Sequence, residues 1–196
     1  AKRLPAVRRI ESLSPGTISL QLADGSRAQT ELVVLANHLA IGDLLPQIRE
    51  ALVSVCDQWT ELELIKQPQG HWNRPGLVFS INHGLEWGVT MPNLRVAFGG
   101  GRYLRPLGGL EAKVSSVQPE ITGHLLKQLT KTFRFGENAS EASTKSTLDC
   151  RPCDELPIIG PMFGDGRLLV ATGFMGQGIS QGFLAGRCIS ELVSEG

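Results

Sequence analysis

The stretch Leu168-Leu169-Val170-Ala171-Thr172-Gly173-Phe174-Met175-Gly176-Gln177-Gly178-Ile179-Ser180 decides the fold. Its apolar start reads as a strand and its three glycines, spaced G-x-x-G-x-G, as a tight loop. The residues beyond read as a helix with Ile179, Phe183, Leu184, Cys188, Ile189 and Leu192 on one apolar stripe. Such a passage brings unhindered backbone N–H groups and the positive end of a helix towards a ligand that carries negative charge. The same glycines would equally serve tight packing of helix on strand. The spacing is not G-x-G-x-x-G, and Gly196 follows before a second strand with a ribose-binding acid, so a self-sufficient dinucleotide site is not expected.

Upstream, Val7 to Ile10 and Ile18 to Leu22 alternate around Pro15-Gly16, and Asp24-Gly25 marks a second turn, which predicts a hairpin or meander. The unbroken run Leu32-Val33-Val34-Leu35-Ala36 predicts a strand buried on both faces. Gln47 to Val55 suits a short helix, and Trp59 to Ile65 alternates as a strand. Leu77–Ile81, Leu85–Val89 and Leu94–Phe98 predict three antiparallel strands joined by Asn82-His83-Gly84 and Met91-Pro92-Asn93. From Pro119, the residues Ile121, Leu125, Leu126, Leu129 and Phe133 recur at helical spacing. The polar Ser/Thr/Glu-rich residues 136–146 read as an exposed loop.

The chain has 196 residues, with 19 Lys+Arg against 19 Asp+Glu, and offers no electrostatic footprint for nucleic acid or an anionic membrane. No apolar run approaches the roughly 20 residues of a membrane span, and Ala1-Lys2-Arg3-Leu4-Pro5 has no signal-peptide core. Four cysteines are too few for a disulfide scaffold, so reduced thiols and a cytoplasmic setting are expected. The anomaly is glycine: 23 residues, of which seven lie between Gly84 and Gly109 and eight between Gly160 and Gly186.

The order Asp154-Glu155-Leu156-Pro157-Ile158-Ile159-Gly160-Pro161, then Arg167 to Phe174, then Gly176-Gln177-Gly178, closely resembles the C-terminal signature of the FAD-dependent D-amino-acid oxidase superfamily, which includes glycine oxidase and sarcosine oxidase. The resemblance extends less specifically to three other segments. These are Val7 through Ala36-Asn37, Leu44-Leu45-Pro46 to Gln58, and Ala97-Phe98-Gly99-Gly100-Gly101-Arg102. It implies FAD as cofactor, with Ala36, Asn37, Gly173, Phe174, Met175, Gly176, Gln177, Gly178 and Ile179 contacting the flavin. Backbone N–H groups around Gly176 to Ile179 would donate to its pyrimidine edge, where reduced flavin is negative. It also implies a mixed α/β (α+β) fold. Residues 1–45 and 147–196 would belong to an FAD-binding domain and 46–135 to an antiparallel-sheet substrate domain. The N-terminal G-x-G-x-x-G unit of that family has no counterpart here, so the chain reads as a C-terminal part whose partner is a missing N-terminal segment or a separate chain.

Arg102 and Arg151 are candidates to hold a substrate carboxylate through a planar fork, or else ordinary surface arginines paired with acids. Tyr103 could hydrogen-bond substrate or sit on the rim. Cys150-Arg151-Pro152-Cys153 is a C-x-x-C, but Pro157 opposes the helix that a thioredoxin-like pair would open. No second pair, and none of the isolated histidines His38, His71, His83 and His124, stands at metal-ligand spacing, so no metal is expected. Some relatives attach flavin through a cysteine, which leaves Cys150 or Cys153 as a possible attachment point. No catalytic acid or base can be named.

The expected activity is oxidation of a C–N bond in a small-molecule amino acid or secondary amine. Two alternatives stand: the oxidase half of an enzyme that modifies wobble uridine in tRNA, which Val33-Val34-Leu35-Ala36-Asn37-His38 also resembles, and a non-catalytic interaction domain without flavin.

Overall fold

The computed structural model describes residues 3–65, 70–133 and 139–195. Strands β1 (Val7–Ser14), β2 (Thr17–Leu22), β3 (Arg27–Thr30) and β4 (Val33–Leu35) lead into two short helices, α1 (Ile41–Leu44) and α2 (Pro46–Ala51). There follow β5 (Leu52–Leu64), β6 (Val78–Ile81), β7 (Glu86–Met91), β8 (Arg95–Gly100) and α3 (Pro119–Phe133). The chain continues through β9 (Ala139–Pro152), β10 (Ile158–Met162), β11 (Asp165–Thr172) and α4 (Gly178–Glu195). Mixed α/β organisation is therefore observed. Two compact units result: residues 1–53 with 149–196, and residues 54–148. The divisions fall at 53/54 and 148/149, and Leu45 and Ile48 are buried in the core of the first unit.

In the first unit, β1-β2-β3 form an antiparallel meander, as the turns at Pro15-Gly16 and Asp24-Gly25 predict. A second sheet has the order β10-β11-β4, with β11 parallel to β4 and antiparallel to β10. Strand β11 alternates across two cores. Leu168 and Val170 join Val33, Leu35, Ile18, Leu20, Leu22, Ile41 and Ile48 on one face. Leu169 and Ala171 meet Ala185 and Ile189 of α4 on the other. Burial on both faces thus belongs to β11. In β4 only Val33 and Leu35 are buried, and Val34 is 43% exposed, against expectation. The cause is position: β4 is the edge of its sheet and α4 packs over β10 and β11.

The apolar stripe of α4 also divides. Ala185 and Ile189 are buried, whereas Ile179, Phe183 and Leu184 project into solvent.

The second unit is a five-stranded sheet in the order β6-β7-β8-β5-β9. Helix α3 covers it, with Ile121, Leu125 and Leu129 set against Leu62, Leu64, Val96 and Phe98. The Phe133 side chain lies outside the described residues. The helix expected over 47–55 stops at Ala51, and β5 begins at Leu52 as one 13-residue strand. Fully buried Gln58 on β5 secures the start of α3. Its Nε2 donates to the Gln118 carbonyl (3.1 Å) and to Thr122 Oγ1 (2.8 Å), while its Oε1 accepts from the Gln118 N–H (2.7 Å).

Residues 139–146, expected as loop, form the first half of β9; 136–138 lie outside the described residues. The polar composition suits a sheet edge, where charged and hydroxyl side chains discourage further pairing. Here it also meets polar groups of β5: Lys145 Nζ donates to Glu61 Oε1 (2.7 Å), and Thr144 to Thr60 (3.0 Å).

Glycine allows the end of β8 to turn. Gly100 has φ 116°, and a Cβ there would strike the Leu85 carbonyl and Glu86 Cα, which are backbone and cannot swing aside. Gly123, by contrast, faces open space in the middle of α3. Gly100→Ala is expected to destabilise the protein by about 2–4 kcal/mol in urea denaturation, from backbone strain plus overpacking. Gly123→Ala should stabilise it by about 0.5–1 kcal/mol.

Candidate functional site

The glycine loop leaves β11 at buried Thr172. Gly173 (φ 78°), Met175 (φ 53°) and Gly176 (φ 80°) take left-handed conformations, and the Gln177 N–H closes a turn on the Phe174 carbonyl at 2.8 Å before α4 begins at Gly178. A Cβ on Gly173 would collide with the Pro152 ring, so the loop lies against the end of β9. Residues 176–179 are exposed. The first-turn N–H groups of α4 have no intrahelical acceptor by geometry, and no acidic side chain occupies that turn to compete for them.

Beneath the loop the fold assembles residues that are far apart in sequence. His38 Nε2 lies 3.4 Å from Asp149 Oδ1, which also accepts the Cys150 N–H at 2.9 Å. Cys150 Sγ is 3.7 Å from Thr172 Oγ1, and that hydroxyl donates to the His38 carbonyl at 3.4 Å. Thr172 and Asp149 therefore bring the Ala36-Asn37-His38 segment beside the glycine loop. Ala36 and Asn37 are exposed and line a cavity of about 530 Å³ with Ala6, Val7, Val34 and Leu44.

The hydrogen bonds from His38 to Asp149 and Cys150 push the imidazole up to about 10. Burial would raise the Cys150 thiol, but the contacts with His38 and Thr172 outweigh it and hold the thiol below its ordinary value. Cys150 is fully buried on β9 and Cys153 is exposed beyond it; both are free thiols, so the C-x-x-C is neither a disulfide nor the start of a helix.

The second unit carries its own polar cluster. Glu86 on β7 is fully buried and accepts from Tyr103 Oη (2.6 Å) and Asn82 Nδ2 (2.6 Å), with His124 Nε2 of α3 3.0 Å away. Tyr103 Oη and His124 Nε2 are also 2.9 Å apart. Burial alone would raise the Glu86 carboxyl; the donors Tyr103, His124 and Asn82 outweigh it and keep it below the usual range. Burial and the neighbouring Glu86 push the Tyr103 phenol up to about 12. Tyr103 is thus bound to a buried carboxylate, while the residue as a whole stays 44% exposed. Glu86 and His124 were not legible in the sequence, because Glu86 alternates into a strand and His124 sits alone on a helix.

Arg102 Nη1, in the second unit, and Arg151 Nε, in the first, are both buried without a hydrogen-bond partner among the described residues. His83 occupies an exposed left-handed turn, as the Asn-His-Gly sequence suggests.

Residues 5–192 match the family model described as DAO, FAD dependent oxidoreductase, and the chain belongs to that family. The family is FAD-dependent. Three solved structures share the fold. Glycine oxidase from Bacillus cereus ATCC 14579 is 16% identical with a TM-score of 0.77, over 97% of this chain and 50% of that one. L-proline dehydrogenase from P. horikoshii is 16% identical with a TM-score of 0.75, over 97% and 49%. Iminodiacetate oxidase from Chelativorans sp. BNC1 is 16% identical with a TM-score of 0.72, over 94% and 48%. The chain spans about half the length of these proteins. A comparison with curated protein sequences finds no match. No described helix is long and apolar enough to cross a membrane.

The Glu86 cluster generates a pH signature. A carboxylate with a lowered folded value contributes stability that is complete above its ordinary 4.5 and is lost as pH falls through the folded value. A phenol with a raised value contributes stability that is complete below its ordinary 10.0 and is lost as pH rises towards about 12. Tyr103→Phe should cost about 1 kcal/mol at neutral pH, less than the roughly 1.5–3 kcal/mol of a fully buried hydrogen bond to a charged group, because Tyr103 is partly exposed. The same variant should flatten the alkaline limb of a denaturation-versus-pH curve.

Proposed function

We propose that this chain is the C-terminal part of an FAD-dependent enzyme that oxidises a C–N bond of an amino acid or secondary amine. The observation that carries the reading is the meeting of the Ala36-Asn37-His38 segment with the 173–179 loop around Thr172, within a chain of the FAD dependent oxidoreductase family. The residues suit a flavin: two left-handed glycines hold the backbone close, and the first turn of α4, whose N–H groups have no intrahelical acceptor, carries no acidic side chain. FAD, when bound, supplies the acceptor for the hydride leaving the substrate carbon. Gly178 and Ile179 would donate backbone N–H groups to the pyrimidine edge, and Ala36 and Asn37 would border the cofactor. Gly173, Phe174, Met175, Gly176 and Gln177 would shape the loop around it.

Arg102 and Arg151 are the candidates to bind the substrate carboxylate, supported by one guanidinium nitrogen of each, Nη1 and Nε respectively, that is buried without a partner among the described residues. Tyr103 would form part of the substrate side, its hydroxyl fixed by Glu86. On this reading residues 1–45 and 147–196 serve the flavin, 46–135 the substrate. Glycine oxidase, L-proline dehydrogenase and iminodiacetate oxidase are named for amino acids or an amine, which supports the substrate class.

A further FAD-binding segment or partner chain would complete the site. The edge of β4, which no strand pairs among the described residues, exposed Val34, and the exposed Ile179, Phe183 and Leu184 on α4 support this. The free cysteines suit a cytoplasmic enzyme.

The test is to express the chain together with its upstream coding region, or with a co-purifying chain that carries G-x-G-x-x-G. Retained FAD that is bleached anaerobically by amino acids or secondary amines is expected; a complete protein that takes up no FAD would overturn the reading. Arg151→Met should raise KM for a carboxylate substrate on the order of 30-fold, the loss of one charge-assisted pair, with a smaller change in kcat.

A further inference from the structure

We propose that His38, Asp149 and Cys150 form a binding site for a thiophilic divalent cation of the zinc class. One donor atom from each residue, an imidazole nitrogen, a carboxylate oxygen and a thiol sulfur, lies within 4.8 Å of the other two. Zinc bonds of roughly 2.0–2.3 Å in tetrahedral array set donors about 3.3–3.7 Å apart, so only a small contraction separates these side chains from a ligand set. The His38 Nε2 to Asp149 Oδ1 distance of 3.4 Å already falls in that range.

A second, independent observation points to a ligand. Asp149 is only 8% exposed, yet its Oδ2 is buried with no hydrogen-bond partner among the described residues. An oxygen taken from water without a partner is costly, and a cation beside it removes that cost. Charge balances as well: an aspartate and a deprotonated cysteine together neutralise one divalent ion.

The mixed donor set selects the metal. Sulfur with imidazole favours zinc, cobalt or similar ions over magnesium and calcium, which prefer oxygen alone. Cys150 is fully buried and the His38 side chain is half in solvent, so the ion has an entry path over the imidazole. Outer contacts are already made. The Cys150 N–H donates to Asp149 Oδ1 at 2.9 Å, and Thr172 Oγ1 stands 3.7 Å from the sulfur. Three protein ligands leave a fourth position for water or a small anion. Spacing along the chain could not reveal this site, because 111 residues separate His38 from Asp149.

The proposal is independent of flavin chemistry, and its test needs no activity. The chain is titrated with Zn2+ against a chromophoric chelator, and separately with Co2+ under absorption spectroscopy. One equivalent bound, with a thiolate-to-cobalt charge-transfer band and the intense visible bands of four-coordinate cobalt, is expected. Cys150→Ser should remove the charge-transfer band, and both Cys150→Ser and His38→Gln should weaken Zn2+ binding on the order of 100-fold, the upper range for loss of a supporting group. Cys153→Ser should leave binding unchanged. If Cys150→Ser fails to fold, judged by circular dichroism, His38→Gln decides alone, since its side chain is half exposed. No uptake by the wild type, a cobalt spectrum without the thiolate band, or undiminished binding in a folded His38→Gln variant would overturn the proposal.

Discussion

Strand β11 is the constraint on which the first unit depends. Leu168 and Val170 face the meander core, Leu169 and Ala171 face α4, and none of the four is more than 8% exposed. A strand with five successive residues buried on alternate faces can hold only one register, because a slip of one residue would exchange the two cores. That register is shared in parallel with β4, which pairs Leu169 with Val34 and Val170 with Leu35. Parallel pairing aligns the C-terminal ends of both strands. The segment after β4 and the loop after β11 therefore emerge side by side, and Thr172 bonds to His38 at that point. Open α/β sheets place ligands outside the carboxyl ends of their strands for this reason.

Glycine serves the two units differently. At Gly173 it lets the backbone leave β11 against the ring of Pro152, so the loop hugs the site rather than standing away from it. At Gly100 it lets β8 close against the backbone at Leu85, which delivers Tyr103 to the buried carboxylate of Glu86. In both cases a candidate site residue follows within a few residues of the left-handed turn. Glu86 shows the energetic cost of that arrangement. A buried carboxylate is held ionised only because Tyr103, His124 and Asn82 all converge on it.

Much of the architecture was legible because it repeats with a period. The meander, the three strands β6, β7 and β8, and helix α3 all follow from alternation or helical spacing bounded by Pro, Gly and Asn. Reading failed where burial depends on a neighbour that the chain does not announce. Val34 looks like a core residue until β4 proves to be an edge strand, and residues 139–146 look like a loop until Thr60 and Glu61 of β5 supply partners for Thr144 and Lys145. Ile179, Phe183 and Leu184 belong to the same pattern: their helix is amphipathic, but only its Ala185 and Ile189 side has something to cover.

By itself, the sequence determined the strand, glycine loop and helix at the C-terminus and the family they belong to. Local chemistry suffices there, since glycine spacing and apolar alternation act over a dozen residues. Only the tertiary structure decided which isolated polar residues become neighbours. His38 meets Asp149 and Cys150 because β4 pairs with β11 and the end of β9 lies under the glycine loop, and Glu86 meets His124 because α3 packs on its sheet. Contacts of this kind leave no periodic trace: each rests on one side chain, and its partner is chosen by strand order and by the face that is buried.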